Sequence, residues 1–235
     1  MEAAIIEVEN LSYTYPDGKQ ALEEIYLRVM SGEKVALVGA NGAGKSTLLL
    51  HLNGILEGSG KIQVNGLEVK KNNLGQIRAL VGVVFQNPDD QLFSPTVFED
   101  VAYGPIYQGL EEQIVAERVH SALCAVHMND YAGRNPYHLS MGEKKRIAIA
   151  TVLSMRPQIL AFDEPTSGLD PRARRELIEL LHELPQTMFI ATHDMELVRQ
   201  LTPRMIILSQ GKIKTDGASA SILDNKALLT ANDLI

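Results

Sequence analysis

The stretch Gly39-Ala40-Asn41-Gly42-Ala43-Gly44-Lys45-Ser46 constrains this chain more than any other. Before it stands the short apolar run Val35-Ala36-Leu37-Val38, which reads as a buried parallel strand. After it, Leu48, Leu49, Leu50, Leu52 and Ile55 predict a buried helix that starts near Thr47. A glycine-rich turn between strand and helix lets successive backbone N–H groups converge on phosphate oxygens, aided by the helix N-terminus. Lys45 supplies a point charge for the β- and γ-phosphates, and the Ser46 hydroxyl can ligate Mg²⁺. The chain is expected to bind a nucleoside triphosphate.

Its 235 residues suffice for one large α/β domain or a core with a subdomain, and 45% hydrophobic residues can fill a sizeable core. The formal net charge of −7 argues against nucleic acid as the main partner. Cys124 is the only cysteine, so no internal disulfide forms and a reducing compartment is expected. Met1-Glu2-Ala3-Ala4 lacks the basic and apolar regions of a secretory signal, and no apolar run is long enough for a bilayer.

Alternation in residues 5–15 and 25–29 around Pro16-Asp17-Gly18 predicts an antiparallel pair, extended by residues 61–64. Residues 80–85 read as a buried strand, and 97–107, 112–128 and 142–155 as helices. Strands return at 159–162 and 188–191 with a helix over 171–183 between them, started by Pro171. Residues 205–214 predict a hairpin turning at Gln210-Gly211. The pattern is one α/β nucleotide-binding core interrupted by a helical insert.

Leu160-Ala161-Phe162-Asp163-Glu164 brings two carboxylates to the C-terminal end of an apolar strand, where ligands of open parallel sheets sit. Asp163 can hold Mg²⁺, and Glu164 is placed to orient and polarise a water near the γ-phosphate. Ser140 with Glu143 three residues later reads as a capping box, and Lys144, Lys145 and Arg146 read as a solvated helix face. His120, Cys124 and His127 fall at i, i+4 and i+7, a face that could hold a transition metal or simply a small buried cysteine.

Residues 39–46 resemble Walker A of the ATP-binding-cassette ATPases, 160–164 Walker B, and 139–143 their signature. Ser167-Gly168-Leu169-Asp170 resembles the D-loop, Gln86 the Q-loop glutamine and His193 the switch histidine, all in the family's order. The resemblance implies a P-loop NTPase (RecA-like) core with an antiparallel β subdomain and a helical signature subdomain. The whole chain, 1–235, would be one cassette, with its core near 1–86 and 156–235 and the helical part near 87–155. Gly39, Asn41, Gly42, Ala43, Gly44, Lys45, Ser46 and Thr47 would hold ATP, with Tyr15 stacking on adenine and Tyr13 its rival. Glu164, His193, Lys45 and Gln86 would serve catalysis, with Ser46, Gln86 and Asp163 around Mg²⁺. Ser140, Met141, Gly142 and Glu143, with Asp170 in the D-loop, would serve a second subunit's nucleotide in trans. Two departures stand out: Met141 replaces the usual second glycine, which is expected to slow closure or turnover, and Glu143 replaces the commonest glutamine.

Residues 84–105, including Leu92-Phe93-Ser94-Pro95-Thr96-Val97, resemble the energy-coupling-factor transporter ATPases, most closely the cobalt and nickel importers. That resemblance implies a peripheral subunit on the cytoplasmic face of the membrane. It would pair with a second ATPase subunit, as a homodimer or else with a paralogous cassette, and with transmembrane coupling and substrate-binding subunits, without nucleic acid. Some relatives have a longer C-terminal extension, and the one expected here is short. Leu92, Phe93 and Val97 would either wall a groove for a membrane-subunit helix or pack the insert internally. A vitamin importer, a soluble cassette of DNA repair or translation, and a non-hydrolysing nucleotide-dependent module are the competing readings. Absent coiled-coil inserts argue against the second, and Lys45, Glu164 and His193 against the third.

Overall fold

The computed structural model describes residues 4–235, which fall into two compact units. The first takes residues up to Val83, Gln158–Glu164 and Gln186–Ile235, and the second takes Val84–Pro157 and Pro165–Pro185. The second unit thus contains the whole of the expected helical insert, 87–155, and also residues 165–185. Met1, Glu2 and Ala3, which bear on the leader reading, lie outside the described residues.

In the first unit β1 (Ala4–Thr14), β2 (Gln20–Met30), β4 (Ser59–Val64) and β5 (Leu67–Glu68) form an antiparallel sheet in the order β2-β1-β4-β5. A six-stranded sheet has the order β10-β9-β3-β8-β7-β6. Its strands are β3 (Lys34–Val38), β6 (Val81–Val84), β7 (Ile159–Asp163), β8 (Thr187–Thr192), β9 (Arg204–Ser209) and β10 (Lys212–Ala218). β3 runs parallel to β8 and β9, and β7 runs parallel to β8, so β3 and β7 end on the same edge. The hairpin of β9 and β10 is antiparallel, as the turn at Gln210-Gly211 predicts.

Alternation along β3 assigns its two faces. Val35 and Leu37 join a core with both sheets and with Leu48, Leu49 and Leu52 of α1 (Lys45–Leu52). Ala36 and Val38 join a separate cluster with Val198 of α7 (Met195–Leu201), Ile222 of α8 (Ser219–Asp224) and Leu229 of α9 (Lys226–Ala231). α1 stops at Leu52, short of the apolar stretch that predicted it, and Ile55 lies beyond the helix and largely exposed. α2 (Leu74–Leu80) precedes β6, so Leu80 closes a helix instead of opening the strand. With Ile77 its only buried residue, α2 offers no apolar period to read.

His51, on α1, is fully buried, and its Nδ1 lies 2.7 Å from the Thr47 carbonyl oxygen. Its Nε2 has no hydrogen-bond partner among the described residues. Burial pushes the imidazole below the usual histidine range, and the bond to Thr47 only partly opposes this. Since the folded state holds the proton less tightly than the unfolded chain, His51 costs nothing above about pH 6.5 and destabilises progressively below it. The slope contributed by one such group reaches at most about 1.4 kcal/mol per pH unit. Urea unfolding at pH 7.5 and 5.5 should therefore show a smaller acid-induced loss of stability for His51→Gln than for the parent. An identical loss in both proteins would rule this out.

The second unit is built on α3 (Val97–Tyr107), α4 (Glu112–Ala125), α5 (Met141–Leu153) and α6 (Pro171–Glu183). Capping boxes start two of them, Thr96 with Glu99 at α3 and Ser140 with Glu143 at α5. Leu92 and Val97 are buried within this unit, so they pack it internally and do not wall a groove, whereas Phe93 is exposed. The shared face expected for His120, Cys124 and His127 does not exist, because α4 ends at Ala125 and His127 turns to φ 59°. His127 pairs instead with Glu183 at 3.2 Å, while Cys124 Sγ lies 3.5 Å from His120. Among the described residues no group of three or more His, Cys, Asp or Glu side chains is arranged to hold a metal.

Candidate nucleotide site

In the first unit the loop after β3 is wedged between two backbone carbonyls, and this explains two of its glycines. A Cβ at Gly39 would stand 2.3 Å from the Leu208 carbonyl oxygen, and one at Gly44 2.5 Å from that of Ala21. Gly44 also has φ 108°, which a side chain disfavours, and it leads directly into α1. Asn41 and Gly42 are exposed at the loop tip, whereas Ala43, Gly44 and Lys45 are buried. Ser46 faces solvent on the first turn of α1.

Lys45 folds back into its own loop. Its Nζ donates to the carbonyl oxygens of Gly39 at 2.8 Å and Ala40 at 3.3 Å, and lies 3.6 Å from Glu164 Oε1. Glu164 follows the end of β7 at φ 46°, a left-handed conformation that a non-glycine residue adopts at a cost. Its other oxygen, Oε2, accepts from the His193 backbone N–H at 3.2 Å and lies 2.9 Å from His193 Nδ1. The Lys45 and Glu164 side chains are each less than a tenth exposed, while that of His193 is mostly in solvent. One buried carboxylate thus bridges the phosphate-loop lysine and the histidine after β8. The adjacent Asp163 ends β7, against which α1 packs.

Tyr13 on β1 and Tyr15 just beyond it meet edge-on, 5.0 Å between ring centroids, but have different further partners. Tyr13 packs edge-on against His51 at 4.8 Å between ring centroids and joins the core. Tyr15, beyond the strand end, shares a 2.9 Å hydrogen bond between its hydroxyl and Thr47 Oγ1. Tyr15 is therefore the aromatic residue tied to the first turn of α1.

The second unit holds Gln86, residues 139–143 and Asp170. Gln86 is exposed, its side-chain amide donating to Ser167 Oγ at 3.4 Å and its backbone carbonyl oxygen accepting from Lys145 Nζ at 2.9 Å. The basic run on α5 is not the expected solvated face. Lys145 is buried, Lys144 pairs with Asp89 at 2.7 Å, and Arg146 donates to the Val126 carbonyl oxygen and to Glu176. Asp170 caps α6, accepting from the N–H groups of Arg172 and Ala173 at 2.8 and 3.0 Å. Those N–H bonds, Ala173 first, hold its carboxyl below the usual range. Sequence reading missed this cap, although Asp-Pro at a helix start signals it.

The family model for ABC transporters matches residues 22–167, more than half of this chain. The chain belongs to the ABC transporter family. It is an ATPase, the ATP-binding subunit of an ABC transporter. Among relatives of this ABC ATPase, the energy-coupling factor transporter ATP-binding protein EcfA of Methanothermobacter thermautotrophicus is 49% identical over 96% of this chain and 74% of its own. A relative in Streptomyces avermitilis, 50% identical over the whole of this chain and 90% of its own, has only the general ABC transporter ATP-binding description. Among solved structures, cbiO1 of Clostridium perfringens, part of the ABC transporter complex cbiONQ, shares 37% identity with a TM-score of 0.87, over 99% of this chain and 96% of that one. The ATP-binding cassette MJ0796, solved as a dimer in a post-hydrolysis state bound to ADP and Pi, shares 26% identity with a TM-score of 0.81, over 91% and 98%. Among the described residues of this ABC ATPase no helix is long and apolar enough to cross a membrane.

Proposed function

We propose that this ABC ATPase powers an energy-coupling-factor-type importer, with cobalt or nickel ions as cargo. The observation that carries the reading is its likeness to cbiO1 over nearly the full length of both chains. The identity to EcfA and the wording of residues 92–97 support it.

In this reading Lys45 leaves the Gly39 and Ala40 carbonyls for the β- and γ-phosphates, and the loop N–H groups and the start of α1 take the remaining phosphate charge. Ser46 and Asp163 offer hydroxyl and carboxylate oxygens, a hard donor set that suits Mg²⁺. Magnesium would supply neutralisation of the phosphate charge. Glu164, already fixed by His193, orients the attacking water, and His193 faces the γ-phosphate. Tyr15 stacks on the adenine. Ser140, Met141, Gly142 and Glu143, with Asp170 of the D-loop, act on the nucleotide of a second copy, as a homodimer. The dimeric state of MJ0796 supports that pairing.

For a membrane partner the second unit exposes apolar side chains. Phe93 and Tyr103 meet edge-to-face at 5.3 Å, and Ile106 and Tyr107 are exposed a turn further along α3. A helix of a transmembrane coupling subunit would dock there, placing the ATPase on the cytoplasmic face of the membrane. Co-expression with the membrane proteins that copurify with it, followed by uptake of labelled cobalt and nickel, tests the reading. The complex should accumulate metal, and Glu164→Gln should reduce uptake at least about tenfold. Vitamin accumulation without metal would overturn the cargo, and undiminished metal uptake by the variant would overturn the mechanism.

A further inference from the structure

We propose that Tyr131 and Arg134 are positioning residues that hold Glu143 in place, so that the Ser140 end of α5 is preformed for the γ-phosphate of a facing subunit. The functional half of this inference rests on the in-trans reading of Ser140 given above. The geometric half stands on contacts inside the second unit.

Glu143 is a double anchor. Its Oε2 accepts from both the backbone N–H and the hydroxyl of Ser140, at 2.8 and 2.7 Å, while its own N–H reaches back to Ser140 Oγ at 3.4 Å. Its Oε1 accepts from the Tyr131 hydroxyl at 2.6 Å. Tyr131 ends a 3-10 turn, Asn129–Tyr131, and the Arg134 N–H donates to its carbonyl oxygen at 2.9 Å. The Arg134 guanidinium lies 4.0 Å from the centre of the Tyr131 ring, within cation–π range. A plain capping box needs only Ser140 and Glu143. Tyr131, which reaches the carboxylate from a segment outside α5, and Arg134, which packs on the Tyr131 ring, are additions to it.

Charge explains why the addition matters. A carboxylate in the first turn of a helix stabilises the helix, but it also opposes a second anion at that N-terminus. Glutamine would be neutral here, whereas Glu143 is held ionised, chiefly by the Tyr131 hydrogen bond, then by Ser140, with the Arg134 charge assisting. The Tyr131 hydroxyl draws the charge toward Oε1, away from Ser140, and Arg134 offsets part of it. Without Tyr131 the carboxylate can rotate, Ser140 loses its fixed orientation, and an uncompensated charge stands beside the incoming phosphate. Each consequence weakens the grip on nucleotide in trans.

Two measurements with the full chain separate the halves. In the monomer, amide hydrogen exchange at Ser140 should accelerate about tenfold in Tyr131→Phe, because its acceptor is no longer held. In a Glu164→Gln background, the ATP concentration for half-maximal dimerisation should rise about tenfold with Tyr131→Phe. The rise should shrink to less than about twofold when Glu143→Gln is also present, since the charge Tyr131 restrains is gone. Arg134→Gln should act in the same direction at low salt, and less at high salt. Unchanged Ser140 exchange in Tyr131→Phe overturns the positioning itself. Faster exchange with an unshifted ATP dependence, or a shift that persists beside Glu143→Gln, overturns the link to nucleotide. If exchange accelerates and the Glu164→Gln parent does not dimerise with ATP, positioning holds and the in-trans reading fails.

Discussion

Glu164→Gln should abolish steady-state ATP turnover while leaving the fold and ATP binding in place. A positioned general base or water-orienting carboxylate contributes roughly a hundredfold to ten-thousandfold, so phosphate release should fall within that range. Glutamine keeps the shape of the side chain, and its amide oxygen can still accept from the His193 N–H that now reaches Glu164 Oε2. It cannot carry the charge that faces Lys45 at 3.6 Å, nor accept a proton from water. Lys45 keeps its bonds to the Gly39 and Ala40 carbonyls, so the loop should persist. Single-turnover phosphate release checks the rate, and equilibrium nucleotide binding checks that affinity is retained. Turnover within a few-fold of the parent would mean that another group handles the water.

Lys45→Met should produce the second large effect, with the opposite signature. Here binding fails, because the loop loses the one cation poised among its own carbonyls. Loss of a charge-assisted contact to phosphate should weaken ATP binding by about two orders of magnitude. The same change removes the cation beside Glu164, whose side chain is almost fully buried. Breaking a buried pair by removing one partner typically costs about 3 kcal/mol, so the melting temperature should fall as well. Titration calorimetry and thermal melting of apo protein read the two effects separately. A double variant, Lys45→Met with Glu164→Gln, should recover much of the lost stability and none of the affinity.

The phosphate loop was legible because its constraints are local. Gly39 and Gly44 sit where β9 and β2 leave no room for a Cβ, and Val35-Ala36-Leu37-Val38 is apolar because both faces of β3 are covered. The helix over 171–183 was equally legible, since Pro171 starts it and its apolar period is regular. Less legible were features that depend on where a helix stops or on what a side chain meets across the fold. His127 turns left-handed two residues after α4, so a spacing argument that assumed a continuing helix failed there. Leu92 and Val97 are buried beside an exposed Phe93, a distinction that hydrophobicity alone cannot make. Lys145 resembles its neighbours in sequence, and only the fold reveals that it is buried on the Gln86 carbonyl oxygen. The hydrogen bonds from Tyr15 to Thr47 and from Tyr131 to Glu143 likewise join residues with no periodic relation.

In the proposed dimer the loop around Lys45 is one half of a site that a second copy completes through Ser140 and Gly142. Size-exclusion chromatography with light scattering of the Glu164→Gln protein, with and without saturating Mg²⁺ and ATP, tests it most directly. The protein should be a monomer without nucleotide and double its mass with ATP, a change abolished by Lys45→Met and weakened by Ser140→Ala. A protein that binds ATP with full affinity and remains monomeric at every concentration would contradict it.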